Sequence, residues 1–544
     1  MAKPTTITIT NFGGRLTRYK NGDLNSGMAK FDTSFGYDPF SKPGNLTWLE
    51  SPTSIAGTTD LLLAAKSRFE QGTQYIYAVG NAGKLYKIQP SSQTTANVDS
   101  VIGVGSVAVS GSSTVGVTFV YPASMEFFGD TEKIYIASDT QVNAVKFDFG
   151  LDTAVTNAQF VSSVGGHNLR PFLGKLAFGN GNTVGAIAAT GTVTSSIIGT
   201  GQGQLYSELN PPLPVSNKVH DVDVSPDGNY LLITASEINN EQISNFDYAP
   251  PSATSEGFLY NWNGIDEGVT AFNKIPSYAV TALQTYLDRN LFFSNDAFGA
   301  SLNDGGQKLL TLPNNRAPIP TATLVNGNFV SWVAPEVTPD NQEVASLYYF
   351  GGLDRENPTG LYRLLRYRTS LTNGFIHQTP LNILTNSYSK NLNTSRSSIL
   401  TVGLGKHYFS TWETSDAVNS QFRFYRFLAT PTGEGTAQSG VYETQTQLFS
   451  KRIHVDQVRV YTEGTTTNNA FRLDLIGADG GISYTGTYTY VAGSDITKME
   501  GSMERINFNP DVESGFAVGV RITNTGTANM TISKIEVDVS DEGR

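Results

Sequence analysis

Cysteine is absent from the 544 residues, which excludes a disulfide framework, thiolate-bound zinc and a thiol nucleophile and leaves the redox compartment open. Charge is sparse at 16%. Basic residues number 37 against 48 acids, for a formal net charge of −11, and they are scattered, so no specific nucleic-acid binding is expected. No stretch approaches the roughly 18 consecutive apolar residues of a membrane span, and the opening MAKPTTITIT has no apolar core of a signal peptide. Neither a membrane span nor a leader is expected.

Catalytic patterns are missing too. The five histidines, His167, His220, His377, His407 and His454, are dispersed without HxH or HExxH spacing, and there is no GxSxG elbow, GxGxxG fingerprint or Walker loop. Gly199, Gly201 and Gly203 of GTGQG lack the lysine and strand-to-helix setting of a phosphate cradle and read as a loop. Asp354, Arg355 and Glu356 of GGLDRENPTG sit in a polar inter-strand segment and read as a solvated turn. The expectation is therefore a protein that is not an enzyme, with no catalytic residue, no metal ligand and no cofactor.

What the chain does have is 54 glycines, 11% aromatic residues and abundant Thr, Ser and Asn, the composition of many short strands joined by tight turns. Between about 55 and 440 one unit recurs, a hydrophobic or aromatic strand followed by a second: YIYAVGN from Tyr75 and KLYKIQ from Lys84, KIYIASD from Lys133 and NAVKFDF from Asn143, KLAFGNGN from Lys175 and VGAIA from Val184. Further instances are YLLITAS from Tyr230 and GFLYNWNG from Gly257, NLFFSND from Asn290 and KLLTL from Lys308, SLYYFGG from Ser346 and LYRLLRYR from Leu361, HYFSTWE from His407 and FRFYRFL from Phe422. A spacing of roughly 40 to 60 residues is that of four-stranded propeller blades. The expected fold is all-β: a degenerate β-propeller of about seven blades over 55–440, followed by an antiparallel β-sandwich over 450–544.

The sandwich expectation rests on renewed alternation after the break ATPTGEGTAQSG. In KRIHVDQVRVYTE, Ile453 and Val455 share one phase and Val458 and Val460 the other, which predicts a bulge around Asp456. FRLDLIG, ISYTGTYTYV, RINFN, FAVGVRITNTG and MTISKIEVDVS supply five further strands. Residues 1–54 read as an extended arm, turn-rich and short of aliphatic residues, which packs over its own subunit or over a neighbour. Its spaced aromatics, Phe12, Tyr19, Phe31, Phe35, Tyr37, Phe40 and Trp48, are the expected interaction residues.

Two motifs resemble ligand sites. DVDVSPDG sets Asp221, Asp223 and Ser225 at alternate positions as in a calcium loop, yet Pro226 stands where an EF-hand needs glycine and Leu232 where it needs glutamate, so a hairpin turn is expected. SLNDGGQK matches the Asp-box of sialidase-like propellers at Ser301, Asn303 and Gly305 but has Gln307 and Lys308 in place of Thr and Trp. Even a complete box is a structural turn.

Asn11 to Gly14 (NFGG) with the turn-rich arm, LFSKRIHVDQVRVYTE from Leu448 to Glu463, and AVGVRITNTGTANMTISKIEVDV from Ala517 to Val539 resemble propeller-bearing tail proteins of bacteriophages, of the nozzle or tail-tip kind. That resemblance implies a virion structural protein, made in the host cytoplasm without a signal peptide, whose partners are other tail proteins and further copies in a homo-oligomeric ring. The chain is short for a nozzle, which leaves an accessory tail component equally open. The rival expectation is a glycan-binding or glycan-cleaving propeller, an adhesin or a sialidase- or lyase-like enzyme, with a host surface glycan as its partner.

Overall fold

The computed structural model describes residues 5–12, 24, 31–38, 44–50, 53–55, 62–80, 84–89, 100–106, 124–129, 133–137, 142–146, 155–158, 169–180, 183–190, 193–194, 218–236, 257–266, 269–275, 279–286, 289–295, 307–313, 319–323, 336–339, 344–349, 360–366, 374–379, 399–401, 406–414, 420–428, 437, 440–463, 469–489, 497–498, 503–527 and 530–541. Among them every regular element is a β-strand. The protein is all-β, as its β-branched and aromatic alternation requires.

Seven four-stranded antiparallel sheets succeed one another along the chain, over 62–106, 124–158, 169–194, 218–275, 279–323, 336–379 and 399–428. The last supplies only three strands of its own and takes Thr53–Ile55 as the fourth. The seven strand pairs legible in the sequence are the second and third strands of these sheets, as in Thr73–Gly80 with Lys84–Gln89 or Lys406–Thr414 with Ser420–Leu428. Central strands are covered on both faces, so they carry the densest apolar signal.

The first strand of each sheet lies against the first strand of the next, and that of the seventh against that of the first. The sheets thus close into a ring, the β-propeller arrangement, which leaves no sheet with two open faces. Polar ties run between inner strands. Lys66 pairs with Glu126 at 3.0 Å, and Arg170 Nε donates to Asp223 Oδ1 at 3.2 Å. Asp221, buried one strand-step away from Asp223, accepts from the Leu283 N–H of the fifth sheet at 2.8 Å and from the Val222 N–H at 2.7 Å. Between them the two carboxylates join the fourth sheet to the sheets on both sides, so their alternate spacing serves inter-sheet bonding. The hairpin expected after them is present: Gly228 N–H donates to Ser225 O at 2.8 Å and Ser225 N–H to Tyr230 O at 2.8 Å.

The remaining twelve strands form one connected sheet. The described residues of 1–54 do not form an extended arm, because four of their strands belong to this sheet: Thr5–Ile9 pairs with Thr531–Asp541 from Thr5 opposite Val539 to Ile9 opposite Ile535, Phe31–Phe35 pairs with Val441–Thr444, and Tyr37–Asp38 pairs with Leu46–Trp48, which in turn meets Ile532. The physical reason is edge satisfaction, since Thr531–Asp541 would otherwise present a row of unpaired backbone groups over a buried face. The boundary expected at 54/55 falls inside the strand Thr53–Ile55, and 441–449, left between the expected domains, belong to this second unit.

Two long strands knit it together. Gln447–Glu463 pairs with Thr531–Asp541 and Met503–Phe508, while Val512–Asn524 pairs first with Gln447–Glu463 and then, over its second half, with Ala470–Ile476. The register slips between Val455 and Gln457. That is the bulge expected at Asp456, and it lets Ile453, Val455, Val458 and Val460 all reach one core with Phe471, Leu473, Val520, Ile522, Ile535 and Val537.

Candidate assembly surface at the hairpin tips

The aromatics expected to contact neighbours separate into two groups. Phe12, Tyr37 and Trp48 lie fully buried in the chain's own core, with Phe12 edge-on to Tyr442 at 5.7 Å, Tyr37 to Trp48 at 6.1 Å and Trp48 to Phe471 at 6.5 Å. Tyr442 Oη donates to Phe12 O at 3.1 Å. These three fill their own subunit and are not anchors for another, because an arm poor in aliphatics contributes to a core through its rings. Burial pushes the Tyr37 and Tyr442 hydroxyls far above the ordinary phenol value, so both stay neutral. Phe31 and Phe35 sit on a paired strand, and Tyr19 and Phe40 lie outside the described residues, as do Gly199 to Gly203, Ser301 to Gly305, Asp354 to Glu356 and His167.

A different set of apolar side chains faces solvent. In an antiparallel sheet the turn after the first strand and the turn after the third open at the same end. Three exposed side chains stand at such turns: Phe69 at 69%, Leu173 at 61% and Ile265 at 83% of full exposure. Gln71 and Gly72 have φ of 48° and 83°, Leu173 and Gly174 of 46° and 71°, so both first turns have the two left-handed central residues of a type I′ hairpin. Asn, Asp or Gly takes such a position at least cost. Leu173 holds it with a branched apolar side chain turned to water.

The Ile265 turn is fixed by its own bonds. Asn263 Oδ1 accepts from the Ile265 and Asp266 N–H groups at 3.0 Å each, Asn263 Nδ2 donates to Asp266 Oδ2 at 2.7 Å, and Trp262 Nε1 donates to Asp266 O at 2.8 Å. It abuts the Leu173 turn. A Cβ placed on Gly264, whose φ is 81°, would lie 2.3 Å from Leu173 Cδ1 and 3.0 Å from Phe172 Cε1, so a side chain there would be strained and would have to push Leu173 aside. The same relation recurs one sheet earlier, where a Cβ on Gly129 would meet Ala189 O at 2.9 Å. At these two junctions the turn after the first strand of one sheet docks under the turn after the third strand of the next.

Side chains beside these turns are held by several contacts. Glu70, next to Phe69, accepts from Tyr77 Oη and, at 2.6 Å, from Lys87 Nζ, which also lies 4.4 Å from the Tyr75 ring centroid. Arg68 stands 5.5 Å over Phe127 of the second sheet. At the fourth sheet Asp227 accepts from Ser225 Oγ, and that bond holds its carboxyl below the usual range. Exposed Lys175, Asp227 and Asp266 add charges of both signs beside the apolar tips. Sequence reading passed over these residues because isolated apolar residues beside Gly look like ordinary turn neighbours. The x-Gly pairs at Gln71, Leu173 and Asn263 were the available signal.

Among the described residues no group of three His, Asp or Glu side chains is placed to hold a metal ion, and no helix is long and apolar enough to cross a membrane. The ring defines an all-β protein of propeller arrangement. No family model matches the chain, and no curated protein matches it. Solved structures similar to it include the β-propeller domain of Cps50 (Swd1) from Myceliophteria thermophila, at 11% identity and a TM-score of 0.40 over 70% of this chain and 100% of that one. The Dos1 propeller aligns at 11% identity and a TM-score of 0.38 over 74% and 95%. A family 43 arabinoxylan arabinofuranohydrolase from Bacillus subtilis aligns at 12% identity and a TM-score of 0.26 over 90% and 95%. Likeness at this level says nothing about activity or partners.

Proposed function

We propose that this chain is a structural component of a bacteriophage tail, nozzle, tip or accessory, that works in the virion by assembly with neighbouring subunits. In this reading the ring is a seven-bladed propeller and the twelve-stranded unit a β-sandwich built from both ends of the chain. The ring-closing contacts between first strands support the first assignment, and the single core shared by strands from both ends of the chain supports the second. The phage assignment draws on the sequence resemblance at Asn11 to Gly14, Leu448 to Glu463 and Ala517 to Val539.

The observation that carries the assembly reading is the exposure of Phe69, Leu173 and Ile265 at turns on one end of their sheets. Exposed apolar groups on pre-ordered turns lose little entropy on docking, and large apolar anchors dominate association energy. The test is a triple variant, Phe69→Ser, Leu173→Ser and Ile265→Ser, used to complement a particle lacking the wild-type protein. Incorporation should fall at least tenfold at an unchanged melting temperature. Normal incorporation of the folded variant would refute these turns as the assembly surface.

A further inference from the structure

Six of the seven ring sheets are each made from one continuous stretch of chain, and the seventh is not. Its closing strand, Thr53–Ile55, meets Ser420–Leu428 only through Phe424 opposite Ile55, Tyr425 opposite Ser54 and Arg426 opposite Thr53. Three residues supply too few ladder bonds to hold an edge strand independently. Something else must keep this strand in place.

The residues just before it are fixed in the other unit. Trp48 is fully buried, its N–H donates to Met530 O at 3.1 Å, and the Leu49 N–H donates to Gly36 O at 2.8 Å. Glu50 bridges Ala437, whose N–H donates to Thr527 O at 2.8 Å. Ala437 follows Ser420–Leu428 in the chain as Glu50 precedes Thr53–Ile55, so this bridge joins the two stretches that lead to the seventh sheet. The tether from Trp48 to Thr53 is short, and a short tether keeps a weak strand at high local concentration.

We infer that the twelve-stranded unit is the clasp of the ring: docking of Leu46–Glu50 holds Thr53–Ile55 on the seventh sheet, and releasing it opens the seam between the seventh and first sheets. Ring closure and completion of the second unit are then one event, which cannot occur until residues 441–541 have been made. Incomplete chains keep an open ring.

Hydrogen exchange on the full-length protein reads this directly. Trp48→Ala, which empties the anchor, should speed exchange over 420–428 on the order of a hundredfold, the gain that tethering provides, while 175–180 and 231–236 in the third and fourth sheets keep wild-type rates. Adding Ser54→Cys and Tyr425→Cys, opposite each other in an otherwise cysteine-free chain, should restore protection at 420–428 on oxidation even though the second unit stays loosened. Wild-type rates at 420–428 in Trp48→Ala, equal acceleration in all the sheets, or a formed disulfide that restores nothing would each overturn the clasp.

Discussion

The ring and the twelve-stranded unit hide their sheet faces by opposite routes. In the ring six of the seven sheets are folded from nearby chain and packed against the next, with polar ties such as Lys66 to Glu126 and Arg170 to Asp223 between inner strands. In the second unit partners come from opposite ends of the chain, as in Thr5 opposite Val539. Its outer face carries a dense ladder instead. Arg459 donates to Glu536 at 2.8 Å and to Asp538 at 2.6 and 2.8 Å, Tyr461 Oη and Lys534 Nζ each donate to Glu536 at 2.8 Å, and Thr6 Oγ1 reaches Asp538 at 2.7 Å. Local sheets need little to fix their partners, whereas a sheet assembled across more than 500 residues gains register from many cross-strand bonds.

The largest expected effect breaks that asymmetry. Deleting residues 1–48 removes four strands and the buried Ile7, Ile9, Phe12, Tyr37, Leu46 and Trp48, and each large side chain contributes roughly 1.5–3 kcal/mol through burial. The second unit should unfold, and proteolysis should digest 441–541 while fragments from the first six sheets persist. Survival of 441–541 as a resistant fragment would show that the N-terminal strands are dispensable.

A smaller effect sharpens the comparison on the ring side. Asp221→Ala leaves the buried Leu283 and Val222 N–H groups without their acceptor, at a cost of about 1–3 kcal/mol. Urea unfolding should register the loss in the ring transition and leave the second unit unchanged. Asp221→Asn, which keeps one acceptor oxygen, should recover part of it.

The smallest effect concerns pH. Burial alone would raise the Glu536 carboxyl, but bonds from Lys534, Arg459 and Tyr461 outweigh it and bring the group from 4.5 down to about 2. Its folded value lies below its unfolded one, so its contribution is complete above pH 4.5 and is lost as pH falls from there toward 2. The melting temperature of the second unit should decline across this window. Glu536→Gln should flatten the decline, and an identical slope in both proteins would remove Glu536 from its cause.

Several parts of the molecule were legible in the sequence alone. Strand type, the seven central strand pairs and the slip at Asp456 all follow from local alternation, because the faces of a strand are written at every second residue. So does the hairpin after Asp223, whose Pro226 and Gly228 set the turn locally. The fourth strands were not legible, since several, such as Val193–Thr194 and Thr53–Ile55, are only two or three residues long. The fate of the N-terminal aromatics was decided by tertiary structure: Phe12, Tyr37 and Trp48 look the same in sequence whether they fill their own core or a neighbour's, and only the open edge of Thr531–Asp541 draws them home. The pairing of exposed turns was likewise invisible, because Leu173 and Ile265 stand 92 positions apart and become adjacent only when one sheet's turn docks under the next. Periodicity is a local property of the chain, while exposure depends on which distant segment arrives to cover it.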